Sequence, residues 1–182
     1  NALAVVAKVL DDEFGIATAF LTTANGYTAS QSLVDSPSKK WRRGRAAALS
    51  IVPSTTGAAV ATSYVLPQLE GKMDGLALRV PVADGSIIDL VAQTKRPVTV
   101  DSVNQALRRA SESDRMKAFL GYSDEELVSA DIIGSEYSAI VDAGSTMVIG
   151  DHTVKVLAWY DNEWGYARRV ADITATIAQR QG

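Results

Sequence analysis

Apolar residues recur at helical spacing from the start of the chain. Leu3, Val6 and Leu10, with Val5 and Val9 beside them, predict a helix from about Ala2 to Glu13, with Asn1 as a competent N-cap and Phe14-Gly15 as its end. Ile16 to Thr23 is rich in β-formers and leads into Asn25-Gly26, a turn dipeptide, so a strand and then a loop are expected. From Ala29 to Arg45 the apolar period vanishes beneath Ser, Pro, Lys and Arg; structureless connections of this length are usually functional or disordered. A second helical stretch, Ala58 to Leu66, follows Ser54-Thr55-Thr56-Gly57 and is closed by Pro67. Leu76 to Pro81 and Ile87 to Gln93 read as a strand pair around the turn-prone Ala83-Asp84-Gly85. Val103, Ala106, Leu107 and Ala110 mark a helix over Thr99 to Ser111 behind an Asp101 or Ser102 cap. Two more strands, Ala139 to Asp142 and Thr153 to Tyr160, precede a last helix from about Trp164 to Gln179. Helices and strands that alternate irregularly, with hairpin-like connections late in the chain, predict an α+β fold: a mixed, mostly antiparallel sheet covered by helices.

Composition narrows the chemistry more than the fold. With 182 residues, 47% of them hydrophobic and 21% charged, residues 1–182 read as one domain able to bury a sizeable core. A net charge of −3 gives no long-range pull toward nucleic acid or anionic lipid, and no apolar run approaches the roughly 20 residues that span a bilayer. The expected setting is cytoplasmic, with neither nucleic acid nor membrane as partner. An opening without Met that runs straight into helical pattern reads as a chain cut from something longer. Zero cysteines and one histidine remove disulfide frameworks, thiolate metal sites and cysteine nucleophiles, and no metal site is expected.

Three segments could carry chemistry. Trp41-Arg42-Arg43-Gly44-Arg45, with Lys39 and Lys40, offers guanidinium forks suited to phosphate or carboxylate, although a basic loop is more often a solvated face. Ser54-Thr55-Thr56-Gly57 places hydroxyls and free N–H groups at a helix start, where an anion site and ordinary capping look alike. Asp161-Asn162-Glu163-Trp164-Gly165-Tyr166 either caps the last helix through Asp161 or Asn162 or presents Asn162 to a ligand. His152, beside Asp151 at a turn, reads as a surface residue because no nucleophile is placed near it.

Taken in order, these segments resemble the glyceraldehyde-3-phosphate dehydrogenase family. Asn1 to Leu10, Thr22-Thr23 with Tyr27-Thr28, Arg42 to Ala48, Ser54 to Ala59, Leu78-Arg79-Val80-Pro81 and Trp159 to Tyr166 match family blocks at fitting intervals, and Trp-Tyr-Asp-Asn-Glu-Trp-Gly-Tyr is by itself nearly sufficient. The resemblance is to the C-terminal, catalytic domain of a phosphorylating, NAD-dependent aldehyde dehydrogenase whose Rossmann domain is not in this chain. It implies that Thr28, Ser30 and Arg79 hold the phosphate of glyceraldehyde 3-phosphate, that Thr56 and Gly57 hold inorganic phosphate, and that Asn162 and Tyr166 face the nicotinamide of NAD. NAD is not expected to bind this chain alone. A homo-oligomer is implied, with about Tyr27 through Arg45 forming the family's S-shaped loop. Two departures stand out. If Asn1 is the Asn of the family's Cys-Thr-Thr-Asn segment, the nucleophile falls just before the first residue; and Asn25, within Ala24-Asn25-Gly26, stands where the family has Val-His-Ala. With no Cys and no His at those positions the chain is expected to be inactive as given. The competing expectation is an engineered or degenerate non-catalytic scaffold or oligomerisation domain.

Overall fold

A computed structural model describes residues 1–181. Four α-helices, α1 (Ala2–Phe14), α2 (Ala58–Val65), α3 (Val100–Glu112) and α4 (Trp164–Gln181), accompany seven strands, β1 (Ile16–Gly26), β2 (Val52–Thr55), β3 (Met73–Val80), β4 (Ser86–Thr94), β5 (Leu120–Ser123), β6 (Ala139–Ile149) and β7 (Thr153–Tyr160). The strands form one sheet in the order β2-β3-β1-β4-β7-β6-β5. β1 runs parallel to β3, and β5 parallel to β6; the remaining neighbours are antiparallel, so the α+β fold with a mixed, mostly antiparallel sheet is what the chain adopts.

Strand alternation decides what is buried. Ala19, Leu21 and Thr23 of β1 and Ile88, Leu90 and Ala92 of β4 turn inward, where α1 packs on β1, β4, β6 and β7, α2 on β3, and α3 on β5 and β6. Leu10, Leu90, Leu107, Leu120 and Val156 are wholly buried in this layer. The opposite sheet face is open: Phe20 is 72% exposed, and Leu76, Met147 and Ile149 are exposed with it. Along α4, Val170, Ile173 and Ile177 leave a second apolar stripe at helical spacing.

Several sequence expectations need correction. Asn25-Gly26 is not a turn, since β1 continues through both residues, pairing Asn25 with Arg79 and Gly26 with Val80. A tight Asn-Gly hairpin turn needs positive φ at Asn, and no non-glycine residue among those described has it. β3 and β4 are not a hairpin either, because β1 lies between them and the 81–85 connection crosses over its end. Gly85 makes that crossing feasible: its φ is +88°, and a Cβ there would fall 2.2 Å from the carbonyl oxygen of Ser129. β2 and β5, four residues each, were too short for any period to reveal. β6 runs past Asp142 to Ile149, with a break in register between Asp142 and Met147 where Ala143-Gly144-Ser145 interrupts the apolar pattern.

Caps differ as well. Asn1 occupies the N-cap of α1 without a side-chain bond. The cap of α3 is Thr99 rather than Asp101 or Ser102: Thr99 Oγ1 accepts from the Ser102 N–H at 3.1 Å and Ser102 Oγ accepts from the Thr99 N–H at 2.9 Å, a reciprocal box. Thr99→Ala is expected to cost about 1 kcal/mol, read as a lower urea midpoint at unchanged slope.

Candidate functional site

A cavity of about 730 Å³ opens where the first turn of α1, the start of α2, the ends of β1, β3 and β7 and the start of α4 converge. Six of the residues singled out from sequence line it: Asn25, Thr56, Gly57, Arg79, Asn162 and Tyr166. They lie up to 141 positions apart in a chain of 182, so the topology, not local sequence, brings them together. Thr28 and Ser30 do not line this cavity. They follow β1, with their hydroxyls 2.9 Å apart.

Arginines carry the positive side of the site. Arg79, on the inward face of β3, donates from Nη1 to the Gly26 carbonyl at 3.3 Å, while its Nε is buried without a partner. Burial and the nearby charge of Arg43 lower its pKa, as expected of a cation held partly out of water and beside another. Arg43 bridges two segments, donating to Ser30 Oγ at 2.8 Å and Ser54 Oγ at 3.0 Å. It thereby ties the Thr28–Ser30 hydroxyls to the strand that leads into Thr56-Gly57. Thr56 Oγ1 accepts the Ala58 N–H at 3.2 Å, and no atom lies within 4 Å of where a Cβ on Gly57 would sit. The approach to the start of α2 is therefore open. Two guanidinium groups, a row of hydroxyls and a helix start together favour a ligand carrying negative charge.

The other side of the site is a chain of neutral groups. Asn25 accepts a bond from the Tyr160 hydroxyl at 2.7 Å on Oδ1, and its Nδ2 donates to the Gly26 carbonyl at 2.9 Å. Burial pushes the Tyr160 phenol up to about 12, against the smaller opposing effects of the Ser86 hydroxyl and the Arg79 charge, so Tyr160 stays protonated at neutral pH. Neither Asn25 nor Tyr160 is thus a base near pH 7. Ser86 Oγ donates to Asn162 Oδ1 at 2.6 Å, and Asn162 Nδ2 donates to Glu163 Oε1 at 3.4 Å. Asp161, not Asn162, caps α4: its Oδ1 accepts from the N–H groups of Glu163 and Trp164 at 2.8 and 2.6 Å, and Oδ2 from that of Gly134 at 2.8 Å. Burial works against its charge, but those three donors prevail and hold its pKa low, while burial and the neighbouring Asp161 raise that of Asp84. With Asp161 serving as the cap, Asn162 is left to face the cavity.

The remaining sequence candidates fall elsewhere. His152 sits exposed in the turn between β6 and β7, donating from Nδ1 to the Thr94 carbonyl at 2.9 Å. In the basic segment, a 3-10 turn over Trp41–Gly44 leaves Trp41 89% exposed and lets Arg45 pair with Asp35, so only Arg43 turns toward the site hydroxyls. Arg43, Tyr160 and Ser86 are participants to which sequence reasoning gave no individual role, Tyr160 although it lies within the Trp159 to Tyr166 block. Arg43 lay within a flagged cluster; Tyr160 and Ser86 are strand residues whose value comes from partners 135 and 76 positions away. No group of three or more His, Cys, Asp or Glu able to hold a metal ion occurs among the described residues, and none of the described helices is long and apolar enough to cross a membrane.

Residues 1–162 match the family model described as "Glyceraldehyde 3-phosphate dehydrogenase, C-terminal domain". The chain is 53% identical over 180 residues to glyceraldehyde-3-phosphate dehydrogenase 2 of Bacillus subtilis, covering 99% of this chain and 53% of that protein. It is 52% identical over 180 residues to the glyceraldehyde-3-phosphate dehydrogenase of Geobacillus stearothermophilus, with the same coverage, and 50% identical over 179 residues to that of Mycobacterium avium, covering 98% and 52%. It spans about half the length of the curated relatives it matches.

Proposed function

The chain belongs to the glyceraldehyde-3-phosphate dehydrogenase family, as its C-terminal domain, and from that premise we propose that it is the substrate-binding shell of a phosphorylating aldehyde dehydrogenase. In this reading Arg79, with Thr28 and Ser30, holds the phosphate of glyceraldehyde 3-phosphate, Thr56 and Gly57 receive inorganic phosphate, and Asn162 with Tyr166 faces the nicotinamide of NAD. The observation that carries it is the partnerless, buried Nε of Arg79 beside Arg43. A guanidinium placed this way at a cavity wall gains most from an anion that completes its hydrogen bonds. Arg43 joins the same set by bridging Ser30 and Ser54. In this proposal residues 1–182 act as one domain, and a nucleotide-binding half lies outside them.

The side of the cavity assigned to nicotinamide fits a carboxamide. Asn162 Oδ1 is already engaged, and its Nδ2 has only one long bond, so a donor is free for the ligand's carbonyl oxygen. NAD, when bound, would supply the hydride acceptor; this chain contributes Asn162 and Tyr166 toward orienting its ring. Proton transfer is what the chain lacks. Asn25 stands at the position of the family's base and cannot titrate, and the 182 residues hold no cysteine to serve as thiolate. With a thiolate supplied, loss of the base alone would cost on the order of 10²–10⁴-fold in rate. The purified chain, given glyceraldehyde 3-phosphate, NAD and phosphate, is expected to form no NADH. Turnover that persisted in Asn25→Ala would sink the inactivity claim.

A second reading, a non-catalytic scaffold or oligomerisation domain, is favoured by the open sheet face with Phe20, Leu76, Met147 and Ile149. If that face associates, multi-angle light scattering gives an oligomer at micromolar concentration, and Phe20→Lys shifts it to a folded monomer with a thermal midpoint lowered only by the lost association. A wild-type monomer at all concentrations would remove this reading. Phosphate binding is compatible with either.

A further inference from the structure

Ser86 opens β4 and is 1% exposed, yet its hydroxyl connects two separate parts of the site. Oγ accepts the Gly26 N–H at 3.1 Å and donates to Asn162 Oδ1 at 2.6 Å, a separation normal for O–H···O. The orientation of an Asn amide is decided by its partners. The Gly26 N–H occupies one lone pair of Ser86, and the hydroxyl proton goes to the Asn162 carbonyl at 2.6 Å in preference to the neighbouring Tyr160 phenol, which gives its own proton to Asn25. An inverted amide would have to donate to the second lone pair of Ser86 and turn the hydroxyl proton away, giving up the 2.6 Å bond to Asn162. Gly26 takes part by having no side chain: a Cβ there would lie 3.3 Å from Asn162 Oδ1 and 2.9 Å from the Val82 carbonyl oxygen.

We propose that Ser86 is a positioning residue that locks the Asn162 amide with its carbonyl inward and its amino group available to the cavity, so that the site reads a carbonyl oxygen on its ligand. The ligand half of this statement rests on the reading of Asn162 as a carboxamide partner; the locking half rests only on Ser86, Gly26 and Asn162. In a ¹⁵N-labelled chain, Ser86→Ala is expected to shift both the Gly26 amide and the Asn162 Nδ2 pair and to broaden the latter through rotamer exchange, with Ser86→Thr restoring them. A folded Ser86→Ala protein whose Gly26 and Asn162 signals stay at their wild-type positions would overturn the proposal. Should Ser86→Ala not fold, the wild-type spectrum decides: a sharp, single Asn162 Nδ2 pair is expected of a locked amide, and a pair already broadened by rotamer exchange counts against it. Nicotinamide, titrated at millimolar concentration, then probes the ligand: shifts of the Asn162 pair, weakened about 3- to 10-fold by Ser86→Ala, support the carbonyl readout. No shift in the wild-type protein removes the carboxamide reading and leaves locking to be judged by the Gly26 and Asn162 signals.

Discussion

Arg79→Gln is expected to weaken glyceraldehyde 3-phosphate binding by roughly 10- to 100-fold, the usual worth of a charge-assisted hydrogen bond to a buried anion. The effect is large because Arg79 brings both the charge and an unused donor, and because Gly26, its one protein partner, is a backbone carbonyl that cannot compete with phosphate for that charge. Arg79→Lys should recover only part of the affinity, since an ammonium is a point charge without the planar fork. Isothermal titration with glyceraldehyde 3-phosphate measures all three proteins; equal heats for wild type and Arg79→Gln would locate the substrate phosphate elsewhere. Arg43→Gln is the useful companion. It removes a charge that lowers the pKa of Arg79 but also unties Ser30 from Ser54, so a smaller loss of affinity is expected, together with greater mobility of the 29–45 segment.

Leu90→Ala is expected to destabilise the fold by about 3–5 kcal/mol, enough to unfold a marginal domain at modest urea. Leu90 is wholly buried in β4, a strand hydrogen-bonded on both sides and packed beneath α1, so the neighbours have little freedom to close the void. Phe20→Ala removes a larger side chain from the open face of the adjacent strand, where it is 72% exposed, and should cost far less in the monomer. Urea unfolding followed by circular dichroism separates the two; similar losses would mean that the open face is covered in solution.

Periodicity revealed much of this fold because most of its elements are long. α1, α3 and β7 carry enough apolar positions to declare both type and inward face, whereas β2 and β5 have four residues each and no pattern to read. What the pattern could not convey was adjacency. The Asn25-Gly26 pair reads locally as a turn, but pairing with Arg79 and Val80 of β3, just beyond the end of the β1–β4 register at Ala24, holds its backbone in strand geometry, and long-range pairing overrides local preference. The site was legible to a similar degree. Asn25, Arg79, Thr56, Gly57, Asn162 and Tyr166 were all named from sequence and share one cavity, owing to the family resemblance rather than to spacing. Tyr160 and Ser86 were hidden because each is an ordinary strand residue until the sheet sets it against Asn25 or Asn162.

The place of β1 between β3 and β4 bears on how the chain is made. Residues 16–26 are made well before the strands that flank them: their parallel neighbour begins only at Met73 and their antiparallel one at Ser86. Until β3 has emerged β1 has two bare edges, and until β4 has emerged it keeps one, along with an apolar face that α1 alone cannot cover. At about 5–20 residues per second, that interval lasts several seconds. A strand so exposed is a template for the wrong neighbour, including the same strand of another nascent chain. β1 thus waits for both of its partners, and the nascent chain offers a chaperone an unpaired strand between the appearance of β1 and that of β4.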